Sequence, residues 1–241
     1  MCTVSYRRSH ESLDLLFSRD EQRSRVKATA PGLHERAGSR FLAPIDPQGG
    51  GTWIHVNEHG LVAAVLNRYD IPPCAPPTHS RGLLMLATTQ AHRVSDFGQL
   101  VESALKAGVY AACTLLALDR ESVGIWCWSG EELRPEAPPQ SPVLTSSSWN
   151  TESVCEARRL AFARHVAQPA QPTLAEMERF HRHRDPRGDG FSVLMARPDA
   201  RTVSLTQVKI ENGTASMRYA ARRPDDAGFE PFVETSLPLH A

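Results

Sequence analysis

The sequence opens with residues 1–22, MCTVSYRRSHESLDLLFSRDEQ, and this stretch gives the strongest indication of the fold. Two runs rich in apolar and β-branched residues, 2–7 and 13–18, are separated by the polar residues 9–11. This pattern predicts two antiparallel strands joined by a short turn. Cys2 then lies on the first strand, and the end of the second strand returns to a position beside it.

Cys2 directly follows Met1, so removal of the methionine would leave a thiol and an α-amine on one residue. Methionine aminopeptidase requires a small second residue, and cysteine meets that requirement. The reference pKa values are about 8.5 for the thiol and about 7.7–8.0 for the amine, so both groups titrate close to neutral pH. The alternative is that Cys2 is only a small apolar residue suited to a first strand.

Arg19 and Asp20 end the second predicted strand and are therefore expected next to Cys2. A guanidinium beside a thiol lowers the thiol pKa and makes the cysteine more reactive. A carboxylate at the same place can orient an α-ammonium group or a substrate. The alternative is that these residues are a solvated run of charges at a strand end. Because they follow a hairpin that begins with cysteine, a functional site is the favoured interpretation.

The remaining sequence predicts strands, then helices, then strands. Further strands are predicted at residues 52–56, 61–66, 113–118, 123–128, 143–148, 191–196, 202–209 and 215–220. Helices are predicted at residues 80–88 and 95–106, from 150 or 151 to about 165, and from Thr173 onward, where a capping box begins. Residues 22–50 are rich in Gly, Pro and Arg and are predicted to form a loop. The order indicates one α+β layered domain over residues 1–241 rather than alternating βαβ units.

The composition excludes several classes of partner. The 241 residues carry 27 basic and 27 acidic side chains, so no positive excess favours nucleic acid. The sequence has neither a secretion signal nor an apolar run near twenty residues, and we expect a soluble cytoplasmic protein without membrane insertion. Five cysteines without a CxxC spacing indicate reduced thiols.

Histidines and the other cysteines give weaker indications. Residues 181–185, HRHRD, could suggest a metal site, but no second cluster completes a ligand set, and an exposed polar loop is the favoured interpretation. We therefore expect neither a metal nor a cofactor. His55 and His59 are expected at the surface, and three cysteines are expected as small buried apolar residues: Cys113, Cys127 and Cys155.

Several short motifs, in this order, resemble the NRDE family of transport-and-Golgi-organisation-2-like proteins, which are similar to cysteine-type N-terminal-nucleophile hydrolases. The matching motifs are Met1-Cys2, Arg19-Asp20-Glu21, Gly51-Thr52-Trp53, the run GLVAAVLNR at residues 60–68, Ser80-Arg81-Gly82 and Ser147-Ser148-Trp149. Ser18 stands where the family name has Asn. The individual motifs are short, and their order along most of the chain carries the specificity.

The resemblance implies a four-layer αββα sandwich and the hydrolysis of a linear amide bond. It implies that Cys2 is the nucleophile, that Arg19 and Asp20 lie beside it, and that Asn67 donates to an oxyanion. Four residues are assigned to substrate binding on the same basis: Ser18, Trp53, Ser147 and Trp149.

The resemblance also permits a different function. In this second hypothesis the protein keeps the fold and the pocket but does not catalyse a reaction. Its partner is then a hydrophobic metabolite such as haem or lipid, instead of a small-molecule amide. A third hypothesis is a redox or sensor role for the Cys2 thiol, for which Cys74 is the nearest cysteine in the sequence.

Overall fold

The structure is a computed structural model that describes residues 2–72, 75–168 and 171–240. Its strands are β1 (Cys2–Arg8), β2 (Leu13–Gln22), β3 (Gly32–Arg36), β4 (Ser39–Ala43), β5 (Ile54–Asn57), β6 (Val62–Asn67), β7 (Cys113–Leu118), β8 (Val123–Trp128), β9 (Leu133–Glu136), β10 (Val143–Ser146), β11 (Ala200–Glu211), β12 (Thr214–Ala221) and β13 (Val233–Pro238). Its helices are α1 (Arg81–Leu86), α2 (Val94–Leu105), α3 (Thr151–His165) and α4 (Leu174–His181).

The strands form two antiparallel sheets that face each other. One sheet has the order β10-β1-β2-β11-β12-β13, and the other has the order β3-β4-β5-β6-β7-β8-β9. Strands β1 and β10 contact β6, β12 contacts β5, and β13 contacts β3 and β4. Helices α3 and α4 cover the outer face of the first sheet, and α1 and α2 cover the outer face of the second. The predicted α+β sandwich with four layers, αββα, is therefore confirmed.

The first hairpin forms as predicted and separates two kinds of side chain. Cys2 pairs with Arg19, and Thr3 pairs with Ser18. Because successive side chains of a strand point to opposite faces, Cys2, Val4 and Tyr6 join the core between the sheets. The intervening residues of β1 face the layer of helices α3 and α4. The two faces of this hairpin consequently carry different chemistry.

Two predicted segments differ from the structure. Residues 22–50 are not a simple loop, because they contain the hairpin of β3 and β4, which extends the second sheet. The alternation of apolar and polar residues that marks a strand in sequence is weak in this hairpin, and its apolar residue Leu33 is exposed. Residues 191–196 are not a strand, although Val193, Leu194 and Met195 are buried. Their apolar side chains pack beneath the α3 and α4 layer from an irregular segment.

No helix among residues 2–72, 75–168 and 171–240 combines the length and apolar character that crossing a bilayer requires.

Candidate active site

A cleft with a volume of about 390 Å³ opens where the ends of β1 and β2 meet the ends of β5 and β6. Five of the eight residues predicted for the site line it: Cys2, Arg19, Asp20, Trp53 and Asn67. The same cleft is lined by polar and charged residues that the sequence did not single out for the chemistry, including Glu21, Arg25, Asp46, His79 and Arg81. The structure therefore brings together residues from the first hairpin, β6 and the segment that enters α1.

Cys2 lies in the middle of three paired strands, between Arg19 on β2 and Ser146 on β10. Its backbone nitrogen donates a hydrogen bond to Ser146 Oγ at 3.1 Å. This nitrogen is the atom that would become the α-amine if Met1, which lies outside the described residues, were removed. Ser146 is thus a site residue that sequence reasoning missed, because nothing local indicated that β10 pairs with β1.

Burial raises the pKa of the Cys2 thiol above its ordinary value, while the backbone N–H of Asp20 and the Arg19 guanidinium act to lower it. The net direction is opposite to the activation expected from Arg19 alone. The reason is that the thiol is almost fully enclosed, and burial disfavours the charged thiolate. A nearby base is consequently needed to take the proton from the sulfur at neutral pH.

Arg19 is held by a network of charges at the wall of the cleft. Its Nη2 lies 3.2 Å from Glu21 Oε2 and 3.2 Å from Asp46 Oδ2, and its guanidinium carbon lies 4.3 Å from the centre of the Trp53 ring. Arg25 Nε also donates to Asp46 Oδ2, at 3.0 Å. Burial acts to raise the pKa of Asp46, but the hydrogen bond from Arg25 and the two arginine charges outweigh it and lower this pKa. These opposite charges fix Arg19 beside Trp53.

The Asp20 carboxylate contacts Thr202 and Arg158 in the layer between the first sheet and α3. Its Oδ1 accepts a hydrogen bond from Thr202 Oγ1 at 2.7 Å, and its Oδ2 lies 3.0 Å from Arg158 Nη2. The side chains of Asp20 and Arg158 are both fully buried. Arg158 also donates from Nη1 to Thr3 Oγ1 at 2.9 Å, next to Cys2. The role of Asp20 in orienting the α-ammonium group stays a prediction. The structure shows in addition that Asp20 forms a buried ion pair with Arg158.

Arg158 was missed in the sequence, although a signal was available. It lies four residues after Val154 and one after Ala157, both on the inward face predicted for this helix. An arginine on an apolar helix face requires a buried partner, because an unpaired charge is costly in the interior.

Ser18 does not line the cleft, which corrects its expected position. Because it pairs with Thr3, it points toward the helices, where its Oγ is 2.8 Å from His181 Nδ1. His181 Nε2 in turn lies 2.9 Å from Ser5 Oγ. His181 is fully buried, and burial lowers its pKa to about 3, so the ring is neutral at physiological pH. Residues 181–185 are therefore not a wholly exposed polar loop as expected.

Asn67 ends β6 at the cleft and is half-buried. Its Nδ2 donates to Tyr69 Oη at 2.7 Å, which orients the amide along the cleft wall. Trp53 is buried beneath Arg19, as described above. Both residues line the cleft, and the roles that the resemblance assigns to them stay predictions.

Ser147 and Trp149 lie outside the lining of the cleft. Ser147 Oγ donates to the Trp149 carbonyl at 2.6 Å and accepts from the Trp149 N–H at 3.2 Å, and it shapes the turn that enters α3. Trp149 is exposed and meets Phe191 in an edge-to-face contact with ring centres 5.4 Å apart. We leave both residues out of the substrate site, because neither lines the cleft.

The structure also places other histidines and cysteines that the sequence singled out. His55 is fully buried and lies 3.1 Å from Thr88 Oγ1, so its expected surface position is wrong. Cys2, Cys113, Cys127 and Cys155 are free thiols, and Cys127 is only half-buried. Cys74 lies outside the described residues. Within the described part of the chain, no group of three or more His, Cys, Asp or Glu side chains is placed to hold a metal ion.

Comparison with solved structures shows which fold this is. The chain is similar to penicillin V acylase from Agrobacterium tumefaciens, with a TM-score of 0.57 and 13% identity over 91% of this chain and 83% of that one. It is similar to a mutant of conjugated bile acid hydrolase from Clostridium perfringens, with a TM-score of 0.51 and 12% identity over 99% and 92% of the two chains. It is also similar to the Caenorhabditis elegans orthologue of N-acylethanolamine-hydrolyzing acid amidase, with a TM-score of 0.50 and 11% identity over 86% and 92%. These similarities establish the N-terminal-nucleophile hydrolase fold.

The sequence itself gives a closer relationship. No curated protein matches it. The family described as Transport and Golgi organisation 2 matches residues 1–220, which include the first hairpin and every residue described at the cleft. The chain therefore belongs to the Transport and Golgi organisation 2 family.

Proposed function

We propose that the protein hydrolyses a small linear amide through a thioester formed on Cys2. The observation that carries this proposal is the position of Cys2: the residue lines the cleft, and its backbone nitrogen lies 3.1 Å from Ser146 Oγ. Removal of Met1 would turn that nitrogen into an amine on the same residue as the thiol. The three similar structures are of an acylase, a conjugated bile acid hydrolase and an N-acylethanolamine-hydrolyzing acid amidase, and these names support the same class of reaction.

The proposed reaction begins with transfer of the thiol proton to the α-amine of Cys2. The amine is a base with a pKa of about 7.7–8.0, close to the operating pH, and it compensates for the raised pKa of the buried thiol. The sulfur attacks the amide carbon, and the carbonyl oxygen becomes an oxyanion. Asn67 Nδ2 and a backbone N–H would donate to that oxygen.

Collapse of this intermediate breaks the carbon–nitrogen bond. The departing amine takes the proton from the α-ammonium group, and the acyl group remains on Cys2 as a thioester. Water then attacks the thioester, again with the α-amine as base, and releases the carboxylic acid and the free thiol. Ser146 Oγ would hold the α-amine in place during both steps. We place this reaction in the cytoplasm, where thiols remain reduced.

Carriage of haem or a lipid has less support from this cleft. Arg19, Glu21, Arg25 and Asp46 line it together with Cys2, so much of its described wall is charged. Sites for hydrophobic ligands are lined mostly by apolar and aromatic side chains. A redox role would need a partner thiol close to Cys2, and nothing in the described residues favours that role.

The first test is the mass of the N-terminal peptide. We expect the purified protein to lack Met1, because Cys2 is small enough for methionine removal and the proposed base exists only after it. Intact-mass measurement, followed by peptide sequencing, reads this directly. Quantitative retention of Met1 in protein isolated from its native cells would contradict the proposal.

Replacing Asn67 with alanine provides a second test. We expect Asn67→Ala to lower kcat for amide hydrolysis by about 10²–10³, the usual cost of losing one oxyanion donor, with little change in KM. Tyr69→Phe is the matched control, since it keeps the Asn67 amide and removes the hydroxyl that accepts its hydrogen bond, and it should cost less. Equal kcat values for Asn67→Ala and the unmodified protein would remove Asn67 from the mechanism.

A further inference from the structure

We propose that Arg81 binds an anionic group of the substrate, so that the preferred substrate is an amide carrying a carboxylate. This inference rests on the proposed function and specifies its substrate class. Arg81 lies in the cleft with Cys2 and Asn67. It belongs to the Ser80-Arg81-Gly82 motif, which the reaction described above does not use.

Among the described residues that line the cleft, Arg81 is an arginine without a carboxylate partner. Arg19 and Arg25 are neutralised by Glu21 and Asp46, with which they form four ion pairs. Arg81, in contrast, forms no ion pair with any carboxylate of the described residues. Its one hydrogen bond there runs from Nη1 to the Ala112 carbonyl, at 3.0 Å. A guanidinium has five N–H donors in a planar fork, so one hydrogen bond to a carbonyl uses only a small part of its donor capacity.

The backbone on both sides of Arg81 is fixed against the cleft wall. Ser80 Oγ donates to the Gly49 carbonyl at 3.2 Å, and the Thr52 N–H donates to the Gly82 carbonyl at 3.2 Å. Gly51 packs so closely on Gly82 that a side chain at position 51 would collide with the Gly82 backbone. Arg81 is therefore held by rigid neighbours, which is what a binding residue needs to select a ligand geometry.

Arg81 also lies close to the proposed oxyanion donor. It donates to Ala112, and the next residue, Cys113, pairs with Asn67 across β6 and β7. The Arg81 charge acts on the Cys113 thiol, whose pKa burial raises to about 12. A substrate with its carbonyl oxygen at Asn67 would thus have a neighbouring group near Arg81. A carboxylate suits this position, because it accepts two parallel N–H donors of a guanidinium.

The experiment compares two probes that differ in charge, N-hexanoylglycine and N-hexanoylethanolamine. Binding is measured by calorimetry on Cys2→Ala protein, which removes the nucleophile and prevents turnover. We expect the anionic probe to bind more tightly than the neutral one. Adding Arg81→Gln should weaken the binding of the anionic probe by about 10- to 100-fold and change the binding of the neutral probe by no more than about threefold. Arg81→Lys should recover part of the loss, because it keeps the charge but not the fork.

Arg134→Gln is the matched control, because it removes the same charge from an exposed residue that does not line the cleft. It should leave the binding of both probes unchanged. The inference is overturned if the anionic probe fails to bind at millimolar concentration, if Arg81→Gln weakens both probes equally, or if Arg134→Gln reproduces its effect.

The proposed reaction is judged separately, by hydrolysis of both probes with unmodified protein. If neither probe is hydrolysed while Arg81→Gln still abolishes the preference for the anion, then only the reaction is refuted. If both are hydrolysed without any dependence on Arg81, only the anion site is refuted.

Discussion

Replacing Cys2 with alanine is expected to abolish amide hydrolysis. The thiol is the only group in the proposed reaction that forms a covalent bond to the substrate, and loss of such a nucleophile typically lowers kcat by about 10⁶. The α-amine, Ser146 and Arg19 would remain in place, so substrate binding should persist. The measurement is steady-state hydrolysis of an N-acyl amide, with calorimetry to confirm that the ligand still binds.

Cys155→Ala is the matched control, because Cys155 and Cys2 are each 8% exposed and both changes remove one thiol. Cys155 does not line the cleft, and its replacement should leave turnover near that of the unmodified protein. Undiminished hydrolysis by Cys2→Ala would refute the thioester mechanism. If the protein instead carries a hydrophobic metabolite, Cys2→Ala would retain full biological activity and no amide would accumulate.

Replacing Arg158 with methionine is expected to destabilise the fold strongly. Arg158 is fully buried beside the equally buried Asp20, and its removal leaves a carboxylate in the interior without this counter-charge. Breaking one partner of a buried ion pair typically costs about 3–5 kcal/mol. Urea unfolding at neutral pH measures the loss as a lower midpoint. The effect would also reach the site, since the Asp20 charge acts to raise the pKa of the Cys2 thiol.

Arg159→Met on the same helix is the control, since Arg159 is exposed and the chemical change is identical. It should alter the free energy of unfolding by about 0.5 kcal/mol or less. Adding Asp20→Asn to Arg158→Met should restore part of the lost stability, because it removes the buried carboxylate that has lost its Arg158 counter-charge. Equal effects of Arg158→Met and Arg159→Met would show that the buried pair does not stabilise the fold.

The regular elements followed from local pattern. The apolar runs at β1, β2, β7 and β8 were bounded by turn residues, and Thr173 began α4 with a capping box that the structure contains. The strands β9 and β13 were missed, as were β3 and β4, because each is short or has weak alternation. Such strands form when a neighbouring strand supplies their hydrogen bonds, and that neighbour is distant in sequence.

The site was predictable only in part. Arg19 came within reach of Cys2 because a hairpin fixes its own register, so local sequence sufficed. Ser18 was predicted to bind the substrate. It pairs with Thr3, however, and its side chain therefore points to the helices and His181. Ser147 and Trp149 were placed at the substrate, whereas the neighbouring Ser146 occupies the position beside Cys2.

The sequence by itself determined the layered fold, the hairpin that begins at Cys2, and the pairing of Cys2 with Arg19. These features depend on periodicity and on contacts between residues close in the chain. Only the tertiary structure decided which distant groups support the site: Ser146 from β10 bonds the Cys2 nitrogen, Arg158 from α3 pairs with Asp20, and Arg81 from α1 lines the cleft. Their positions depend on how the two sheets and the helices pack, and for Ser146 and Arg158 that packing joins segments more than a hundred residues apart.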